Sequence, residues 1–152
     1  MIREEIKKQL IEAMKAGEKE RVGTLRLINS TIKDKDIADR TKGNMDGISD
    51  ETVLSVLQGM IKQRKESIAL YTQGGRAELA AAEQKEVDII QSFLPKQMDA
   101  DEIKEAIKAA ISETGATSMK DMGKVMGILR TKYAGKMDFG AASNEIKSLL
   151  AG

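Results

Sequence analysis

The chain has 152 residues, a net charge of +1, 41% hydrophobic and 32% charged residues, and neither His nor Cys. That inventory excludes disulfides, thiolate and imidazole metal sites and every mechanism built on a His base, and it leaves no global basic field to hold nucleic acid or membrane. Two Phe, two Tyr, no Trp, nine Met and a single Pro point to an all-α protein with an aliphatic core.

The first helix is expected over about Ile2 to Lys15, where Ile2, Ile6, Leu10, Ala13 and Met14 recur at helical spacing before Gly17. Its alternating Glu and Lys fit neither the apolar region of a signal peptide nor an acid-poor transit peptide, so a cytoplasmic location is expected. A second helix runs from about Glu18 to Ile37 with Val22, Leu25, Ile28 and Ile32 on one stripe. The turn-rich ADRTKGNMDG reads as an exposed, mobile loop. Ser49 caps a third helix, which Asp50 and Glu51 favour in its first turn and Gly74-Gly75 ends near Thr72. A fourth helix runs from about Arg76 to Phe93 and stops at Pro95.

Pro95 reads as a domain boundary, giving residues 1–95 as an N-terminal four-helix domain and 96–152 as a small C-terminal three-helix bundle. The fifth helix opens on the capping box Asp99-x-x-Glu102, carries Ile103, Ile107 and Ile111, and ends near Gly115. The sixth opens on Ser118-x-x-Asp121 and ends near Gly135. The seventh starts at Asp138 and is expected to bury Phe139, Ile146, Leu149 and Leu150. No stretch approaches the roughly 18 consecutive apolar residues of a membrane span.

Two charges fall on apolar stripes. Leu57, Ile61 and Ile68 define the buried face of the third helix, with Arg64 in its middle. Leu79, Val87, Ile90 and Leu94 define that of the fourth, with Glu83 in its middle. Paired across the Gly74-Gly75 turn, Arg64 and Glu83 would form a register-fixing buried ion pair. The other reading is a polar pocket in which Arg64 holds a phosphate or carboxylate.

The sixth helix poses the sharper question. In DMGKVMG, Gly123 and Gly127 each cost about 1 kcal/mol relative to Ala, which a close neighbour or ligand would justify. Met119, Met122, Met126, Leu129 and Tyr133 form the expected buried face, with the glycines on a flank that Arg130 continues. Lys120, Lys124, Arg130, Lys132 and Lys136 stand against the single acid Asp121, the most basic local patch of the chain. Spacing alone leaves open whether a protein helix or a ribose-phosphate chain uses the glycines.

The blocks TLRLINSTIKDKDI, IKQRKESIALYTQGGRAELAAAEQKEVDIIQSFLP and DMGKVMGILRTKYAGKMD together resemble the GatB/YqeY family, specifically its small stand-alone YqeY-like proteins. The resemblance implies two helical domains related to the C-terminal tail of the B subunit of the tRNA-dependent amidotransferase, a glutamine-using carbon–nitrogen ligase acting on mischarged tRNA. In that family the tail touches tRNA around its elbow. Carried over by position, Gly123 and Gly127 with Lys120, Lys124, Arg130, Lys132 and Lys136 would face the RNA. The chain is too short for the amidase or the kinase-like cradle of that enzyme, and the resemblance reaches only the tail.

The expected function is therefore a non-catalytic module that contacts folded tRNA by shape and phosphate, without cofactor, metal or catalytic residue. Four aromatics are too few for a base-stacking platform. Two other readings stand beside it: an accessory of a carbon–nitrogen ligase, with amidotransferase subunits or a synthetase as partners and acids such as Glu83 and Glu86 available, or a protein-interaction adaptor using the loop Ala38 to Gly47 or the glycine-lined groove of the sixth helix.

Overall fold

Apolar side chains recurring at helical spacing, cut by glycines and one proline, decide the architecture. In a computed structural model that describes residues 2–151, these form seven α-helices and, among the described residues, no strand. They are α1 (Ile2–Ala16), α2 (Lys19–Arg40), α3 (Asp50–Gln73), α4 (Ala77–Gln91), α5 (Ala100–Thr114), α6 (Met122–Lys132) and α7 (Phe139–Ala151), with a 3₁₀ turn over Met119–Asp121 ahead of α6. The chain divides between Leu94 and Pro95 into two compact units, each with its own aliphatic core.

In the first unit, Ile6 and Ala13 of α1, Leu25, Ile28 and Ile32 of α2, Val53, Leu57, Met60 and Ile61 of α3, and Val87 and Ile90 of α4 fill one core. Seven stripe residues expected inside stay partly or largely outside: Ile2, Leu10, Val22, Ile68 and Leu94 are half-buried, while Met14 and Leu79 are exposed. Ser49 caps α3 by accepting the Thr52 N–H at 3.2 Å.

The α3–α4 hairpin corrects the expected ion pair. Arg64 Nε donates to Glu86 Oε2 at 2.9 Å, and its Nη1 donates to the Met60 carbonyl at 3.2 Å. Glu83, one turn nearer the hairpin bend, does not pair with it. The reason is the position of the bend. Helix α3 continues to Gln73 and α4 starts only at Ala77, so the linker centres on Gly75, which adopts φ +74°. Residues equidistant from Gly75 face each other, and those are Arg64 and Glu86.

A second ion pair, between residues far apart in sequence, joins α1 to α2. Asp36, in the charged run KDKD of α2, receives Arg3 of α1 in a bidentate grip, at 2.8 Å from Nη1 and 2.6 Å from Nη2. Its Oδ1 also accepts the Ile48 N–H at 2.8 Å, and Arg3 Nη2 donates to the Ile48 carbonyl at 3.0 Å. Ile48, outside any helix, is thereby drawn into the core. Gly47 sits against the pair with φ +90°, and a Cβ there would lie 3.0 Å from both Arg3 Nη2 and Asp36 Oδ1. The segment expected to be a mobile loop is thus pinned: α2 reaches Arg40, and Asn44 Nδ2 donates to Asp39 at 3.1 Å and to the Gly47 carbonyl at 3.0 Å.

In the second unit, Asp99 caps α5 by accepting the Glu102 N–H at 2.8 Å, and Gly115 ends it at φ +66°. Ala106, Ile107 and Ala110 pack on Val125, Met126 and Leu129 of α6 and on Ala142 and Ile146 of α7, with Met137 buried between the last two helices in sequence. Asp138 accepts the Gly140 N–H at 2.9 Å, just ahead of α7. Phe139 and Leu150 only partly enter the core and Leu149 remains exposed, so α7 buries a narrower face than its sequence promises.

Two predictions arise here. Glu86→Ala should cost about 1–2 kcal/mol and Arg64→Ala at least as much, whereas Glu83→Ala should stay within about 0.5 kcal/mol. Equal urea-denaturation costs for the two glutamates would contradict the register. The grip of Arg3, aided by the Ile48 N–H, holds the Asp36 carboxyl at about 2, well below its ordinary 3.8. Since the folded value is the lower one, the stabilisation is complete above about pH 4 and is lost as pH falls from there to about 2. The stability gap between the wild type and Asp36→Asn should be about 1–2 kcal/mol at neutral pH and close over that window. A gap independent of pH would refute the assignment.

Candidate nucleic-acid interface

Helix α6 is short, and its start is set by the residues before it. Asp121 Oδ2 accepts the Thr117 N–H at 3.1 Å and the Ser118 N–H at 3.4 Å, so the only acid of the basic segment is committed to its own turn. The 3₁₀ turn changes the angular phase ahead of α6. Met119, expected inside, is 44% exposed, and Val125, absent from the expected face, is fully buried with Met126 and Leu129. Met122 and Tyr133 pack at the core margin.

This phase turns Gly123 and Gly127 outward. Both are exposed, and a Cβ built on either would meet nothing within 4 Å. Among the described residues no neighbouring helix uses the space they leave, so packing between these helices does not explain them. Gly123, Gly127 and Arg130 follow one line along α6, with Lys124 and Thr131 beside it at about 100° per residue. Thr131 folds its hydroxyl back onto the Gly127 carbonyl at 2.9 Å, which keeps the line low. An open groove of about 590 Å³ runs past Lys124, Gly127, Ile128 and Thr131 to Thr114 at the end of α5.

The cations do not all behave alike. Lys120, Lys124 and Arg130 are exposed, and among the described residues none of them, nor Lys136, is in an ion pair. Lys132 lines the same groove as Gly127, but its ammonium is engaged by Glu113 of α5 at 3.1 Å. Lys136 lies beyond α6 in a fixed turn: its carbonyl accepts the Met98 N–H at 2.9 Å, and Gln97 Nε2 donates to the neighbouring Gly135 carbonyl at 2.6 Å. Lys120, Lys124 and Arg130 therefore surround the open glycines, Lys136 is held in place nearby in sequence, and Lys132 is already paired.

Such a surface can receive an anionic strand. Close backbone approach brings N–H and C=O groups near a ligand, and unpaired cations at the rim supply charge. The other charged pair of the sequence reading, at Arg64, is a part-buried structural link in the first unit, and Glu86 is occupied by it. Among the described residues, no group of three or more acids is placed to hold a metal ion, and no helix is long and apolar enough to cross a membrane.

Comparison with known proteins adds the relationship. Residues 3–150 match the model of the Yqey-like protein family. A Vanderwaltozyma polyspora protein named altered inheritance of mitochondria protein 41, mitochondrial, is 31% identical over 125 residues, 77% of this chain and 64% of its own length. A Kluyveromyces lactis protein of the same name is 36% identical over 89 residues, 58% of this chain and 45% of its own. An uncharacterised Schizosaccharomyces pombe protein is 31% identical over 91 residues, 60% of this chain and 70% of its own. The chain spans under two thirds of either mitochondrial relative. With the family model covering nearly every residue, the chain belongs to the Yqey-like family.

Proposed function

We propose that the chain is a non-catalytic RNA-binding module that contacts folded tRNA through the outward face of α6, by phosphate and shape. The observation that carries this reading is the line of Gly123, Gly127 and Arg130, open to solvent and flanked by the unpaired Lys120 and Lys124. Two helix-weakening residues whose missing side chains would meet nothing within 4 Å, among the described residues, call for an outside partner. A polyanion matches the charge around them. In this reading the two units are helical domains, 1–95 and 96–152, and the second carries the contact. Amidotransferase subunits or a synthetase remain proposed partners rather than requirements of the site. The cytoplasmic location also remains a proposal; the two named fungal relatives carry the word mitochondrial in their names.

With a handful of cations and a near-neutral chain, affinity should be modest and strongly salt-dependent. Two variants test the reading by fluorescence anisotropy with total tRNA at low salt. Lys124→Glu combined with Arg130→Glu should weaken binding about tenfold or more and flatten the salt dependence; unchanged binding would remove the site. Gly123→Ala combined with Gly127→Ala should stabilise the protein by up to about 1 kcal/mol per site, because the added methyls meet open space. The same variant should bind tRNA more weakly. Added stability with full binding would leave the glycines without a role in recognition.

A further inference from the structure

The first unit holds a second concentration of positive charge, in a cleft of about 510 Å³ between α1 and α2. Arg3 and Lys7 line it from α1, and Lys33 and Arg40 from α2. Asp36 is the one acid in its lining, and both of its oxygens are taken by Arg3 and the Ile48 N–H. Among the described residues, Lys7, Lys33 and Arg40 enter no ion pair. Arg40 feels Asp36 and Lys7 feels Glu4 only at a distance, without an ion-pair contact, so the three cations lining one concavity still repel each other, and a bound anion would relieve that repulsion.

The cleft has more than charge. Arg3 is held by Asp36 and by the Ile48 carbonyl, so its guanidinium is fixed before any ligand arrives, and it retains unused N–H donors. Ile37 forms part of the wall although it is 58% exposed, an apolar surface that the core does not use. Asn29 adds an amide that can both donate and accept. Cations beside an apolar wall and an amide suit an anionic group attached to a flat, partly apolar body. The volume falls in the range of small-ligand sites, roughly 300–1,000 Å³.

We propose that the α1–α2 cleft is a nucleoside-phosphate site, taking its ligand either as a free nucleotide or as a nucleotide of a bound RNA. Lys7, Lys33 and Arg40 meet the phosphate, and Ile37 and Asn29 meet the nucleoside. The site is independent of the α6 face, and either can fail without the other.

Titration of the full, isotope-labelled chain with ADP, followed by amide NMR shifts, tests it. ADP should move the signals of Asn29, Lys33 and Arg40, and inorganic pyrophosphate should bind more weakly because it lacks the nucleoside. Lys33→Glu combined with Arg40→Glu should weaken ADP binding about tenfold or more, while Lys124→Glu combined with Arg130→Glu should leave it unchanged. Lys33→Gln with Arg40→Gln serves if the reversal disturbs folding, and should act in the same direction. If ADP competes with tRNA and the Lys33 and Arg40 variant weakens both, the nucleotide belongs to RNA. If it weakens ADP alone, the ligand is free. No ADP-induced shifts up to about 10 mM, or shifts indifferent to the substitutions, would overturn the proposal.

Discussion

The Arg3–Asp36 pair is the interaction on which the first unit depends. It joins α1 to α2 by two parallel hydrogen bonds and, through the Ile48 N–H and carbonyl, anchors the segment that leads into α3. A side chain at residue 47 would press to 3.0 Å on both partners of the pair, and the positive φ there favours glycine as well. An aliphatic core is tolerant of sliding, because one Ile replaces another along a stripe. A bidentate ion pair tolerates little displacement. The pair thus gives a four-helix arrangement of leucines, isoleucines and valines a defined register, and the Arg64–Glu86 link does the same for α3 against α4.

In the second unit the order of causes is similar but the outcome is a surface. Asp121 ties down the turn before α6, the turn sets the helix phase, and the phase decides that Val125 goes in and that Gly123 and Gly127 go out. A helix surface without side chains is rarely kept for stability, since each glycine favours the unfolded chain. Its exposure beside the unpaired Lys124 and Arg130 gives the α6 face its chemical character. The α6 face thus offers placed charge and an open backbone, the features on which the proposed binding role rests.

Much of this was legible in the residues. Ser49, Asp99 and Gly115 mark helix ends because capping is local chemistry, written within three or four positions of the residue that does it. The aliphatic stripes of α2 and α3 were readable for the same reason. What escaped were features that depend on phase or on distant partners. Arg64 meets Glu86 because the hairpin bend centres on Gly75, a shift of about one and a half residues that moves a facing position by one turn. Met119 looked buried because a helical wheel cannot register the 3₁₀ turn it occupies. Asp36 looked like one more solvated charge in KDKD, since its partner is 33 positions away. The available signal was Gly47-Ile48, a glycine beside a large apolar residue in an otherwise polar loop.

The central claim is that the outward face of α6 meets folded tRNA. Hydrogen–deuterium exchange of the intact chain, with and without saturating tRNA at low salt, tests it most directly. The account predicts slower exchange across Met119 to Lys136 when tRNA is present, with the protection removed by added salt. Unchanged exchange throughout that segment, under conditions where the chain is demonstrably bound to tRNA, would contradict it.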